Sequence, residues 1–301
     1  MLLVSGVVMM LWRPCHSREG RAPRLAVALL LTSAAAVWLG SFGVMVGLLS
    51  GQSSAFTSAA CGVVWRQLLS SHISWWQVAI GTAWVVALPT RGVWSLASNI
   101  RRNGQLLRSL RPVETVVNDP VHGEVLVVPG LSTPAVTLGL LRPVVVVDER
   151  FWAGAPPLQR DVVLAHEQGH VRGRHGLVDA IMRLLTAGIA PLPAAAETYA
   201  CLRRHLEALA DDAAVRCHDR QTVGVALGRI ALAACPAAGL GAAGASVWRV
   251  QRLVTASRMQ WHDRLLLWSM LLGVAVGLVL ATAEVAHALG PVTNASYCVL
   301  R

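Results

Sequence analysis

The sequence contains no lysine and little charge of any kind. Of its 301 residues, 14% are charged and 54% are hydrophobic, and all 26 basic side chains are arginine. A water-soluble globular protein has roughly 25% charged residues. The shortage of charge therefore argues against a purely water-soluble enzyme and predicts a chain that lies partly in a membrane.

Long apolar runs predict about four membrane spans. A helix needs about 20 apolar residues to cross a bilayer, and the predicted spans cover residues 1–12, 25–50, 73–90 and 265–283. The first run is too short to cross and is interpreted as a short or truncated span. Tryptophans near the start of the last two runs are typical of membrane interfaces.

The distribution of arginine predicts how these spans are oriented. Four arginines lie in residues 13–24, against one in residues 51–72, and arginine-rich loops stay on the cytoplasmic side. We therefore attribute the net charge of +10 to membrane topology and expect no direct contact with nucleic acid. The expected organisation is a membrane region in 1–100, a cytoplasmic domain in 101–264, a last span in 265–283 and a short extracytoplasmic tail in 284–301.

Closely spaced cysteines are also missing. None of the six cysteines belongs to a Cys-x-x-Cys pair, which excludes a zinc site of paired thiolates and a dense disulfide framework. Cys61 and Cys298 fall on the same predicted oxidising side, where a disulfide and two unrelated thiols both remain open.

The predicted cytoplasmic domain has a mixed α+β pattern. Residues 124–129 and 144–147 are β-branched runs bounded by turn residues, which predicts two short strands. After two prolines, which suit a helix start, residues 158–185 predict one helix, and residues 194–216 predict a second. The Gly- and Ala-rich residues 236–246 are expected to form a loop.

One motif in this domain indicates metal chemistry. Residues 166–170 have the pattern His-Glu-x-x-His. On a helix, His166 and His170 lie four residues apart on one face, so both imidazoles can reach one metal ion. Glu167 beside them can take a proton from metal-bound water. The alternative is a pair of surface histidines on an arginine-rich helix.

A catalytic zinc ion needs a third protein ligand and an open position for water. Of the downstream candidates, Glu207 is the best, because Asp211 follows it on the same helix face and can hold the free N–H of a ligating histidine. The alternative for Glu207 is a solvated helix face with an ion pair to Arg203 or Arg204. The other candidates are Glu197, His205 and Asp212.

Three ordered blocks, in residues 134–147, 164–175 and 204–215, resemble the integral-membrane zinc metallopeptidases of the BlaR/MecR antirepressor type and, more distantly, the HtpX type. The resemblance implies a gluzincin-type protease domain with Zn2+ on His166, His170 and Glu207 and with Glu167 as general base. It also implies that the strand in 144–147 lies at the edge of the cleft, where an extended substrate could add as a strand. Candidate contacts to substrate or transition state are His175, His205 and Arg204.

The resemblance further implies a multi-pass membrane endopeptidase that cuts a cytoplasmic protein, in particular a winged-helix repressor of the BlaI type, in signal transduction. Because the chain has no lysine, the Ser-x-x-Lys and Lys-Thr-Gly motifs are absent, and no penicillin-binding domain is expected. A quality-control protease of membrane proteins and a non-catalytic signalling scaffold are the alternatives. A transporter is disfavoured, because ionisable residues are nearly absent from the predicted spans.

Overall fold

The computed structural model describes residues 23–50, 75–110, 115–188, 193–234 and 240–255, with isolated helical positions between 261 and 279. This part of the chain is mostly helical and has one small sheet. The helices are α1 (Pro23–Ser50), α2 (Trp75–Leu110), α3 (Glu149–Gly154), α4 (Pro157–Arg172), α5 (His175–Gly188), α6 (Pro193–Val215), α7 (Arg220–Ala234) and α8 (Leu240–Val254). The strands are β1 (Thr115–Asp119), β2 (Gly123–Val128), β3 (Ala135–Leu138) and β4 (Val144–Asp148).

The prediction of about four membrane spans is wrong for the described residues. Among them, one helix is long and apolar enough to cross a bilayer, α1 over Pro23–Gly40, and 50% of that window is buried inside the protein. The predicted span 73–90 falls in α2, a helix that continues through Pro89 to Leu110 and does not meet the same test. Apart from isolated positions, the predicted spans 1–12 and 265–283 lie outside the described residues, as do Cys61 and Cys298.

The helix α1 packs against α5 and α6. Ala34 and Val37 of α1 join Met182 of α5 and Leu202 of α6 in one buried apolar cluster. Trp38 of α1 also donates a hydrogen bond from Nε1 to the carbonyl oxygen of a residue near the end of α5, at 2.9 Å. An apolar helix with one face buried in this way has the surroundings of a core helix.

The sheet has the strand order β1-β2-β4-β3. The predicted strands in 124–129 and 144–147 are confirmed as β2 and β4, which pair in parallel, whereas β1 and β3 add antiparallel neighbours on either side. The strand β4 therefore lies inside the sheet, and the expectation that residues 144–147 form the cleft edge is wrong. That edge belongs to β3.

The predicted helix 158–185 is two helices, because the chain turns sharply between α4 and α5. The Gly173 N–H closes α4 on the carbonyl oxygen of Gly169 at 2.9 Å, and Arg174 adopts a left-handed backbone with φ of 48°. A left-handed residue at this place ends a helix. The turn places His175 back against the last turn of α4, which a continuous helix would not do.

Close packing of α4 on α6 brings the predicted site residues together. A Cβ atom on Gly169 would lie 2.8 Å from the Cβ of Ala213 and 3.0 Å from the Cα of Ala210. Three small residues thus allow the two helices to approach closely. Since α6 begins at Pro193 and ends at Val215, the predicted helix 194–216 is confirmed.

The helix α8 corrects a further expectation. The chain is helical from Leu240, so most of the predicted loop 236–246 is in fact the first part of a helix. Leu253 of α8 is 1% exposed and packs with Val162 and Ala165 of α4. The end of the predicted cytoplasmic domain is therefore part of the core that carries the site.

Candidate metal centre

Two helices bring together the three predicted metal ligands, and His166, His170 and Glu207 form a cluster that could hold a metal ion. The Nε2 atoms of His166 and His170 are 3.3 Å apart. The Oε2 atom of Glu207 lies 3.5 Å from Nε2 of His166, and its Oε1 atom lies 3.8 Å from Nε2 of His170. Bonds of about 2.0–2.2 Å at tetrahedral angles place ligand atoms roughly 3.3–3.6 Å apart. The three side chains thus lie close enough to hold one metal ion, and a set of three protein ligands leaves a further coordination position for water.

Asp211 orients the first of these histidines. Its side chain is fully buried, and its Oδ1 atom lies 3.0 Å from Nδ1 of His166. A carboxylate at this nitrogen keeps the proton there and leaves Nε2 free to bind a metal ion. The structure thus places Asp211 where the sequence predicted it.

His175 occupies the equivalent position at the second histidine. Its Nδ1 atom lies 2.8 Å from Nδ1 of His170, and its side chain is buried in the turn after α4. When His170 binds a metal ion through Nε2, its Nδ1 carries the proton and donates it to His175. The contact therefore supports the ligating tautomer of His170.

Glu167 lines the same cleft as the three candidate ligands. It is 8% exposed, and its Oε2 atom accepts a hydrogen bond from Oγ1 of Thr137, on β3, at 2.6 Å. Burial raises the pKa of the Glu167 carboxyl, although the hydrogen bond from Thr137 acts in the opposite direction. A positioned carboxylate with a raised pKa has the properties of a general base.

Arg249 of α8 contributes a positive charge to the site, which is not predicted from the sequence. Its Nε and Nη2 atoms donate to the two carboxylate oxygens of Asp211, at 3.0 and 2.6 Å. Its Nη1 atom lies 3.1 Å from Oε2 of Glu207. The ion pair predicted as the alternative for Glu207 therefore exists, but with Arg249 rather than with Arg203 or Arg204.

The charges of the cluster determine where its protons lie. Burial would lower the pKa of His166, but Asp211 and Glu207 raise it to about 9. Burial and the neighbouring His166 lower the pKa of His170 to about 4. Burial alone would raise the pKa of Glu207, yet His166 and Arg249 hold it far below its usual range. These shifts favour a charged His166 and a neutral His170 when no metal ion is bound, and a metal ion that binds Nε2 of His166 must displace the proton there.

The cluster lies in a cleft of about 550 Å³, and β3 forms one of its walls. The carbonyl oxygen of Pro134 accepts from the N–H of Asp148 on β4, and Val136 pairs with Val146. Because the bonding direction alternates along an antiparallel strand, Ala135 and Thr137 direct their N–H and C=O groups away from β4. An extended peptide in the cleft could bond to these groups.

Two predicted contacts do not join the site. His205 is buried on another side of α6, where its ring lies edge-on to that of Trp248 with centroids 6.4 Å apart, and it does not line the cleft. Arg204 is exposed and is also absent from the lining, whereas Arg203 contributes to it. Of the three candidate contacts, His175 alone is at the site.

The sequence held a weak signal for the missed arginine. Arg249 and Arg252 lie three residues apart and match the consecutive acids Asp211 and Asp212, but arginines beside apolar segments are equally typical of membrane topology. Thr137 has no comparable signal in the sequence, because only the fold brings β3 beside Glu167. Both contacts join residues that are far apart in the chain.

The comparisons with known proteins are negative: no protein-family model matches the chain, and no curated protein and no solved structure matches it.

Proposed function

We propose that this protein is a zinc-dependent peptidase related to the antirepressor type that its motifs resemble. The observation that carries the proposal is the convergence of His166, His170 and Glu207 in a cluster that could hold a metal ion, with Glu167 beside them in a cleft. Two imidazoles and one carboxylate are a ligand set of catalytic zinc in peptidases. Since the set leaves one position to water, it suits catalysis better than a purely structural ion.

The residues of the site then have separate tasks. When bound, zinc supplies a water of lowered pKa and polarises the carbonyl of the scissile bond. Glu167 accepts a proton from the attacking water and returns it to the leaving amine. Thr137 holds Oε2 of Glu167 by its hydrogen bond, and the cleft walls limit the access of other water.

The proposed substrate is a protein segment that binds in an extended form. The free edge of β3 offers main-chain groups at Ala135 and Thr137, next to Glu167. Main-chain bonds of this kind give affinity to any extended peptide, while pockets for its side chains give specificity. From the resemblance, we propose a cytoplasmic repressor of the winged-helix type as the substrate.

We include a membrane location in this proposal because of α1. That helix is the described segment that could cross a bilayer, and its partners in α5 and α6 would hold the metal centre at the membrane surface. The test is cell fractionation followed by washing of the membranes with alkaline carbonate. Recovery of the protein in the soluble fraction would contradict the membrane location but would not bear on the proposed peptidase activity.

The deciding experiment compares Glu167→Gln with wild type in cells at equal expression, with profiling of new protein N-termini. We expect cleavage to be lost while zinc content is unchanged, because the amide cannot accept a proton. Glu197→Gln, an exposed change on α6, is the matched control and should cleave like wild type. Cleavage by the Glu167→Gln variant would contradict the proposed base, and identical profiles for zinc-loaded wild type and variant would favour a non-catalytic scaffold.

A further inference from the structure

Two Arg–Asp pairs, one turn apart, join α8 to α6. Arg249 binds Asp211 through two donors, and Arg252 Nη2 lies 2.8 and 2.7 Å from the two oxygens of Asp212. The two pairs have similar chemistry, and both lie at the same helix–helix contact. The difference that matters here is that the described contacts of Arg249 reach the metal ligands, whereas those of Arg252 are to Asp212 and to the carbonyl oxygen of Ala208.

Arg249 is arranged to hold two carboxylates at once. The Nε and Nη2 atoms fix the plane of the Asp211 carboxylate, while Nη1 fixes Oε2 of Glu207 at 3.1 Å. Asp211 in turn orients His166. The guanidinium of Arg249 therefore contacts one candidate ligand, Glu207, directly and positions a second, His166, through Asp211. The planar fork of arginine can bind both acids in this geometry, which the single ammonium of lysine cannot reproduce.

The charge of Arg249 also offsets the energetic cost of placing the carboxylates of Glu207 and Asp211 close together. Glu207 and Asp211 lie one turn apart on α6, and Asp211 has 0% of its side chain exposed. Two ionised carboxylates in such surroundings repel each other and lose hydration, unless a cation lies between them. Arg249, with 18% of its side chain exposed, is that cation.

We propose that Arg249 is a positioning residue of the metal centre: it presents Glu207 to the metal ion and holds Asp211 on His166. The metal centre therefore includes α8 as well as α4 and α6. This inference rests on the metal ion of the proposed function but not on peptidase activity.

The test is the zinc affinity of purified Arg249→Lys and Arg252→Lys, measured by competition with a chromophoric chelator. Both changes keep the positive charge, so a difference between them reports geometry rather than charge. Residues that orient metal ligands typically affect affinity by about 10- to 100-fold. We expect Arg249→Lys to bind zinc at least about tenfold more weakly, and Arg252→Lys to bind it within about twofold of wild type.

Denaturant unfolding of the metal-free variants separates positioning from a loss of helix packing. We expect the two lysine variants to lose similar amounts of stability while differing in zinc affinity. Equal weakening of zinc binding in both variants, or wild-type affinity in Arg249→Lys, would overturn the inference. Should Arg249→Lys not fold, the pair Arg249→Gln and Arg252→Gln compares the same two positions with the positive charge removed from each, and weaker zinc binding in Arg249→Gln alone is again the expected result. Wild-type protein that binds zinc without cutting any protein would overturn the peptidase proposal alone.

Discussion

Glu167 depends on two features of its surroundings, burial and one hydroxyl group. Burial raises the pKa of the carboxyl, and in the proposed reaction this raised pKa lets Glu167 hold a proton taken from water until it passes to the leaving group. The hydroxyl of Thr137 fixes one oxygen, Oε2, and directs the other to the cleft. This hydroxyl belongs to β3, the strand that is proposed to bind the substrate. The same strand would therefore position both the general base and the substrate.

The change Thr137→Val removes that hydroxyl at nearly constant volume. We expect kcat to fall about tenfold with KM almost unchanged, because the base loses its orientation while the main chain of β3 is retained. Thr137→Ser restores the donor and should recover most of kcat. The measurement is steady-state cleavage of the substrate found by N-terminal profiling; a rise in KM alone would show that Thr137 serves substrate binding instead.

Among the helices, the contact between α4 and α6 sets the distances at the metal centre. Gly169 lies between the two ligating histidines in the chain, and its missing side chain lets α6 approach so that Glu207 meets both rings. An added Cβ would meet Ala210 and Ala213, which have no flexible atoms to move aside. The helices would have to separate, and the ligand set would widen with them.

The change Gly169→Ala tests this contact. Although alanine favours a helix, we expect a net loss of about 1–3 kcal/mol in the free energy of unfolding, since overpacking a tight contact outweighs the gain. Gly228→Ala on α7 is the matched control, because nothing lies within 4 Å of its added Cβ. That variant should gain about 0.5–1 kcal/mol from helix propensity. Urea unfolding of both variants gives the comparison, and a stabilised Gly169→Ala would refute the packing argument.

For the molecule as a whole, stability depends on keeping the buried His205 neutral. Burial lowers the pKa of His205 to about 4, and the arginines Arg252 and Arg204 act in the same direction. In the unfolded chain, histidine has a pKa near 6.5. Between these two values the unfolded chain binds more protons than the folded protein. Acid therefore favours unfolding, and the stability from a neutral His205 is present above pH 6.5 and is lost as the pH falls to about 4.

His205→Gln removes this titrating group without removing the polar character of the side chain. From pH 7 to pH 5, we expect wild type to lose about 2 kcal/mol more in the free energy of unfolding than the variant loses. Urea unfolding of the metal-free protein at the two pH values measures the difference. Equal losses in both proteins would show that His205 is charged at pH 5 in the folded state.

The sequence by itself determined the local part of this site. His166, Glu167 and His170 are fixed by spacing on one helix, and Glu207 and Asp211 by spacing on another, because residues four apart on a helix share a face. Pro156 and Pro157 at the start of α4 favour a helix start, and the β-branched residues of β2 and β4 favour strands. Both effects are local conformational preferences.

Only the tertiary structure decided what joins these pieces. The positions of Arg249 and Thr137 follow from contacts between elements far apart in the chain, which no periodicity records. The packing of α1 is a similar case: an apolar run predicts burial, but the sequence cannot distinguish lipid from a neighbouring helix as the apolar surroundings. In the fold, 50% of the window Pro23–Gly40 is buried inside the protein, and α1 packs against α5 and α6. Close packing against other side chains buries apolar surface as well as a bilayer does.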